Sequence, residues 1–234
     1  MVLKEEGGLL LARIDRRYKR FLADVVLEDG TEAVAHCVNT GTMRSCWEPG
    51  DPVLLRCHDD PKRKLPYTLV ACRRDKAWVG VDTAVPNALA FAAAARDLLP
   101  GVPALHDLRR EVRYGHENSR VDLHGLDPER RSWFIEVKNT TLKEGRRVSF
   151  PDAVSVRGVK HLRELQAMVE EGHAAVILFL VQRGDVDRFD AARGVDPVYA
   201  RALDLAAAAG VRVLPLQVHY LPAAPPRGHR DQEH

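Results

Sequence analysis

What this chain has little of narrows its class before any motif is weighed. Aromatic residues make up only 6% of it, and no cluster of aromatics and amides forms a sugar-stacking platform. The four cysteines, Cys37, Cys46, Cys57 and Cys72, contain no C-x-x-C pair and all fall in the first third. That spacing argues against a zinc ribbon and enforces no disulfide framework. There is no apolar run of membrane-spanning length and no signal peptide, so a cytoplasmic protein with reduced thiols is expected. Formal net charge is only +2, so a polyanion-binding surface must arise from local clusters of cations. A Ser-His-Asp order, a phosphate loop, a dinucleotide fingerprint and internal repeats are all missing. What remains is an ordinary globular composition, 45% hydrophobic and 29% charged, over 234 residues. Such a chain can hold one large domain or two small ones.

Its pattern changes style part-way along. Residues 9–14, 21–27, 33–38, 53–57, 67–72 and 77–81 read as short strands rich in Val, Leu and Ala. Turn signals such as Glu28-Asp29-Gly30 and Glu48-Pro49-Gly50-Asp51-Pro52 separate them, and no helix intervenes. A small all-β, OB-like barrel over residues 1–83 is the natural architecture, a fold that often binds oligonucleotides. The boundary falls near 81–86. Asn87 is expected to cap a helix running to Leu99, where Pro100-Gly101 stops it. Strands follow at 108–114, 120–124 and 133–139, and a helix is expected over 153–171, ended by Gly172. The unbroken apolar run 174–182 reads as a buried central strand. Asp196-Pro197 opens a third helix ending at Gly210, and 211–220 supplies a last strand. The order predicts an α/β domain over 84–221, a mixed sheet flanked by helices, and a flexible tail over 222–234.

The most informative residues lie on two of those strands. Asp122 stands in Ser119-Arg120-Val121-Asp122, and Glu136 and Lys138 stand in Trp133-Phe134-Ile135-Glu136-Val137-Lys138. Residues two apart on a strand share a face, and the Asp-Pro turn between the segments can close a hairpin. Two acids and an amine would then meet. Neighbouring carboxylates repel unless a cation lies between them, and a hard divalent ion, most naturally Mg²⁺ or else Mn²⁺, is the usual solution. An Asp followed by Glu-x-Lys on an adjacent strand is the core of the PD-(D/E)xK nuclease pattern, in which the acids hold metal and the lysine orients a nucleophile. As text the pattern is short, and a surface strand alternating Glu and Lys is the plain alternative. The apolar setting of Glu136 and Lys138 favours the functional reading, because unpaired charge is expensive there. Glu111, one strand earlier, is a further candidate metal ligand, or else a solvated partner for Arg109, Arg110 and Arg113.

Candidate nucleic-acid contacts are more dispersed. Arg16-Arg17-Tyr18-Lys19-Arg20-Phe21 packs four cations and two aromatics into six residues, a set able to bind phosphates and stack on bases. Asn39-Thr40-Gly41-Thr42 can present amides to a phosphate or form a simple turn. Arg157, Lys160 and His161 lie near the start of a helix, where cations reinforce anion binding. The alternative is an ordinary polar helix face.

These segments carry a resemblance. Arg17-Tyr18-Lys19-Arg20-Phe21-Leu22-Ala23-Asp24, His36-Cys37-Val38-Asn39-Thr40-Gly41-Thr42-Met43, the Asp122 and Glu136-Val137-Lys138 strands, Phe150-Pro151-Asp152-Ala153 and Arg157-Gly158-Val159-Lys160-His161 are similar to the sugar fermentation stimulation protein A family. The likeness runs from about Leu9 to Val218, with Val38 standing where the family usually has proline. It implies a bacterial or archaeal cytoplasmic DNA-binding protein without marked sequence preference. An OB-like first domain and a PD-(D/E)xK second domain are implied too, with Asp122, Glu136 and Lys138 as the nuclease triad. Two functions therefore stand: a metal-dependent nuclease acting on DNA, or a non-catalytic DNA-binding regulator of sugar catabolism on a nuclease-like scaffold.

Overall fold

A computed structural model describes residues 9–220; the tail expected over 222–234 lies outside them. Six strands come first: β1 (Leu9–Tyr18), β2 (Leu22–Leu27), β3 (Glu32–His36), β4 (Pro52–Cys57), β5 (Tyr67–Arg74) and β6 (Ala77–Gly80). Antiparallel pairing gives the order β3-β2-β1-β4-β5-β6, and a parallel pairing of β3 with β5 closes the first five into a barrel. Alternation sets the inside. Ala12 and Ile14 of β1 are buried while Arg13 and Asp15 face out, as a strand period of two requires. The interior holds Ile14, Val25, Leu55, Leu69 and Val79 together with three buried cysteines, Cys37, Cys46 and Cys72. All four cysteines are free thiols, and burial pushes the three inner ones up in pKa. The OB-like barrel expected from the strand pattern is present.

Next comes α1 (Val85–Ala94), followed by β7 (His106–Tyr114), β8 (Ser119–Leu126) and β9 (Ser132–Thr140). The chain continues through β10 (Leu142–Glu144), β11 (Arg147–Phe150), α2 (Val156–Glu170), β12 (Ala174–Val181), β13 (Arg188–Ala191), α3 (Pro197–Ala208) and β14 (Arg212–Gln217). A five-stranded sheet runs β14-β12-β9-β8-β7, with β9, β12 and β14 parallel and β7 and β8 antiparallel to their neighbours. All eight residues of β12 are buried, because helices cover both faces. One face packs Phe134, Ile177 and Phe179 under α2 and α3. The other packs Ile135, Val137 and Leu178 under Ala90, Ala93 and Ala94 of α1. This is the α/β, nuclease-type sheet anticipated above. Among the described residues no helix is long and apolar enough to cross a membrane.

Three local readings need correction. Asn87 does not cap α1: the helix begins two residues earlier with Pro86 in its first turn. Asp82 Oδ1 accepts from Ala84 N at 2.9 Å just ahead of it, which frees the Asn87 amide for other use. The second helix starts at Val156 rather than 153. Ser155 is its cap, accepting from Gly158 N at 3.1 Å, and the segment ahead follows a cis Phe150–Pro151 bond. Finally, β10, β11 and β13 form a small third sheet. Their strands are three or four residues long, too short for a period of two to register. Asp196 does cap α3, accepting from Tyr199 N at 2.9 Å, and its other oxygen accepts from Ser155 N at 2.8 Å. One aspartate thus ties together the starts of α2 and α3.

Barrel and sheet meet along a polar seam. Gly80 N donates to Gln182 O at 2.8 Å, and Thr42 N donates to Asp152 Oδ2 at 2.9 Å. At its centre is Arg183, fully buried. Its Nη1 donates to Ser45 O (3.1 Å) and Thr141 O (2.8 Å), while Nε and Nη2 grip Asp185 at 2.7 and 2.9 Å.

Candidate active site

The hairpin between β8 and β9 delivers the convergence that the two strand segments suggested. Leu123 pairs with Ile135 and His124 with Phe134, so Asp122 and Glu136 follow on adjacent strands. Just there the ladder opens, and the Asp122 side chain takes over. Its Oδ2 accepts from Val137 N at 2.7 Å and its Oδ1 from Asn87 Nδ2 at 2.8 Å. Asn87 thus holds the carboxylate from the opposite helical layer, a role that local sequence offered no sign of. Glu136, 2% exposed, accepts from Lys138 Nζ at 2.6 Å through Oε1.

A fourth member joins from α2. His161, 4% exposed, meets the same Glu136 Oε1 through Nδ1. It stands 3.3 Å from Lys138 Nζ, and its Nε2 lies 3.2 Å from Arg157 Nε. Arginine only donates, so Nε2 accepts and the proton sits on Nδ1, from which it is donated to Glu136. His161 was expected to face a phosphate backbone, but the structure buries it behind Glu136. Its position on α2 read as part of a polar face, since helical period fixes spacing and not which side meets the sheet. Arg157 remains exposed. Lys160 Nζ donates to Glu117 O.

The electrostatics follow from burial. Burial, then the neighbouring Glu136 charge, raises Asp122 from an ordinary 3.8 to about 6, against the Val137 and Lys138 contacts that lower it. For Glu136 burial pushes the same way, but the His161 hydrogen bond and the Lys138 charge prevail and hold it below the usual glutamate value. Both donors sit on Oε1. Glu136 Oε2 is left buried without a hydrogen-bond partner, as are the hydroxyls of Tyr114 and Tyr199. Burial and the charge of Glu136 raise both tyrosines.

Does this set suit a divalent cation? Among the described residues no three His, Cys, Asp or Glu side chains form a ready cage. A hard ion such as Mg²⁺ does not need one, commonly using one or two carboxylates with water and substrate oxygens. An orphaned carboxylate oxygen on Glu136 beside a crowded Asp122 fits that ligand count. Glu111 is a different case. Its neighbours Arg110 and Val112 pair with Leu123 and Val121, which sets its backbone opposite Asp122. Yet its side chain is exposed, its φ is +52°, and among the described residues it makes no hydrogen bond or ion pair with the cluster. The left-handed backbone turns it from the face that strict alternation would assign.

Sequence-suggested barrel contacts separate into two kinds. Lys19 and Arg20 form a left-handed turn (φ 48° and 67°) and are exposed with Phe21. Arg16 is engaged with Asp24 at 2.6 Å and lies over the Tyr18 ring, 5.0 Å from its centroid. Arg17 is structural: Nη2 donates to Arg20 O and to Asn39 O at 2.5 and 2.7 Å. Asn39 is buried, and its Oδ1 accepts from Gly41 N at 2.8 Å; it makes the turn itself and does not face solvent. Thr40 is exposed. The turn leads through Thr42 to Asp152, so the barrel's basic corner is connected to the approach to α2.

A closed OB barrel joined to an α/β sheet with two acids and a lysine on its inner strands defines a protein of nuclease-like fold. The chain belongs to the sugar fermentation stimulation protein family: its RE domain model matches residues 84–224 and the SfsA N-terminal OB domain model matches 16–81. The sugar fermentation stimulation protein homolog of Rhodospirillum centenum is 50% identical over 209 residues, 89% of each chain. That of Shewanella loihica is 46% identical over 221 residues, 94% of this chain and 92% of its own. Among solved structures, Pyrococcus furiosus SfsA in complex with Ca²⁺ superposes with a TM-score of 0.83 at 27% identity, covering 95% of this chain and 94% of that one.

Proposed function

We propose that this protein binds DNA with little sequence preference and that its second domain, residues 84–221, hydrolyses phosphodiester bonds with a divalent metal. The observation that carries the reading is the Glu136 carboxylate: buried, fixed through Oε1 by Lys138 and His161, and unpartnered at Oε2. Asp122 and Glu136 Oε2 are the residues that would hold the ion, and the P. furiosus relative solved with Ca²⁺ supports divalent binding in the family. The ion supplies Lewis acidity and makes water a stronger acid when bound. Lys138 Nζ orients the attacking water and offers positive charge to the phosphoryl oxygens. His161 keeps the Glu136 carboxylate from rotating, much as outer partners fix metal ligands elsewhere. Arg157 and the Lys19–Arg20 turn contact phosphates, which position the strand without reading its sequence.

A panel of labelled DNA and RNA substrates, single- and double-stranded, tests this with Mg²⁺ or Mn²⁺. Wild type is expected to cut at least one, and Lys138→Ala to abolish cutting while binding nearly as well. Wild-type protein that binds DNA yet cuts nothing would leave the non-catalytic regulator as the reading.

A further inference from the structure

Beside the cluster lies a cavity that the proposed chemistry does not use. It measures about 330 Å³ and is lined chiefly by Tyr114, His116, His124, Phe134 and His173, with Arg113 at its edge. That volume sits at the small end of the roughly 300–1,000 Å³ range of ligand pockets. Its floor is aromatic. Phe134 is stacked on Tyr114 at 5.4 Å between centroids, with the rings of His124 and His173 tilted against it at 5.0 and 5.6 Å. Two aromatic rings and two imidazoles thus gather at one opening. The rim is polar: Arg113 and His116 are exposed, and His116 Nε2 meets Glu171 Oε1 at 2.7 Å.

Its position matters as much as its lining. His124 and Phe134 form a cross-strand pair, and Phe134 stands two residues before Glu136 on β9. Two residues along a strand is about 7 Å and returns to the same face. The cavity and Glu136 therefore share one side of the sheet, one step apart, while Asp122 stands where β8 changes face, Val121 packing on one side and Leu123 on the other. Tyr114 lies between the cavity and the acids: its ring lines the cavity, and its buried, unpartnered hydroxyl lies within the field of Glu136, Glu164 and Asp122.

We propose that this cavity receives one unstacked nucleobase of a polynucleotide, next to the phosphate presented to Asp122 and Glu136. The proposal rests on the nucleic-acid reading above and adds a subsite to it. A flat base slides against the Phe134, His124 and His173 rings, an interaction every base can make. The imidazole nitrogens supply donors and acceptors to a base edge, and Arg113 meets the flanking phosphate. A base can reach the cavity only when out of its stack, so unpaired, mismatched or terminal nucleotides are the favoured occupants.

The test uses the full chain in EDTA, which stops metal-dependent cutting, with oligonucleotides carrying 2-aminopurine at each position in turn. One position is expected to change fluorescence at least twofold on binding while its neighbours do not. His124→Ala and His173→Ala should each abolish that change while altering overall affinity less than about threefold, because phosphate contacts carry most of it. A protein that binds the oligonucleotides with no responding position, or variants that keep the full response, would overturn the base subsite and leave DNA binding standing. No oligonucleotide binding at low salt would overturn both. Deoxynucleoside monophosphates binding as tightly as the oligonucleotide would instead mark a site for free nucleotides and refute a polynucleotide subsite.

Discussion

Asp122→Asn in metal-free protein probes the charge crowding on which the proposed metal site depends. Burial and Glu136 move Asp122 from 3.8 to about 6. At about 1.4 kcal/mol per pH unit, ionised Asp122 costs the folded state about 3 kcal/mol at neutral pH. The sign follows from proton counting. Between those two pKa values the folded protein keeps a proton that the unfolded chain has released, so raising the pH favours unfolding. Most of the penalty, about 2–3 kcal/mol, should accumulate between pH 4 and pH 7. Asparagine cannot ionise and lacks this slope. It does lose one of the two hydrogen bonds accepted from Val137 and Asn87, a pH-independent cost of about 1–3 kcal/mol. Urea unfolding at a series of pH values in EDTA, wild type against variant, isolates the slope because other titrating groups are common to both. Wild type should lose about 2–3 kcal/mol relative to Asp122→Asn across the window. Adding Ca²⁺ or Mg²⁺ should recover much of that loss in wild type alone, since a bound cation favours the ionised pair. Parallel profiles in EDTA would refute the crowding argument.

Other consequences can be checked more quickly. His161→Ala should lower cleavage about 10–100-fold, as loss of outer partners of metal ligands typically does, with DNA affinity measured at the same time and little changed. Arg183→Met leaves the Ser45 and Thr141 carbonyls unpaired and Asp185 with Lys143 alone, and should cost about 1–3 kcal/mol in unfolding experiments. Gly115 has φ +69°, and a Cβ there would fall 1.7 Å from Glu164 Oε2. Gly115→Ala should therefore destabilise by at least about 1–3 kcal/mol, seen as a lower Tm. DNA binding should weaken steeply between low and high salt, by about one decade per decade of salt for each phosphate contact.

The meeting of Asp122, Glu136 and Lys138 was legible because it needed only two short strands and a turn between them. Barrel strands were legible for the same reason: alternation over four to eight residues reports burial directly. The site's other members were not, and each miss has a cause. Asn87 looked like a cap because Asn commonly is one, and only the earlier start of α1 showed its amide free to reach Asp122. His161 sits among Arg157, Lys160 and Arg163, where charge suggests solvent, but α2 turns that one residue toward β9. Glu111 was drawn to Asp122 by strand alternation, which a left-handed residue breaks. Arg183 follows a wholly apolar strand and gave no sign that Ser45, some 138 residues earlier, would meet it.

That arginine has a further consequence. With Ser45, Thr141 and Asp185 all held by one side chain, the basic corner of the barrel and the acids of the sheet become two marks on a fixed ruler. On the nucleic-acid reading proposed above, a strand touching both would have to bridge a set gap, and the polynucleotide would bend to do so. Affinity should then step upward once an oligonucleotide reaches that length, rather than climb smoothly with each added nucleotide.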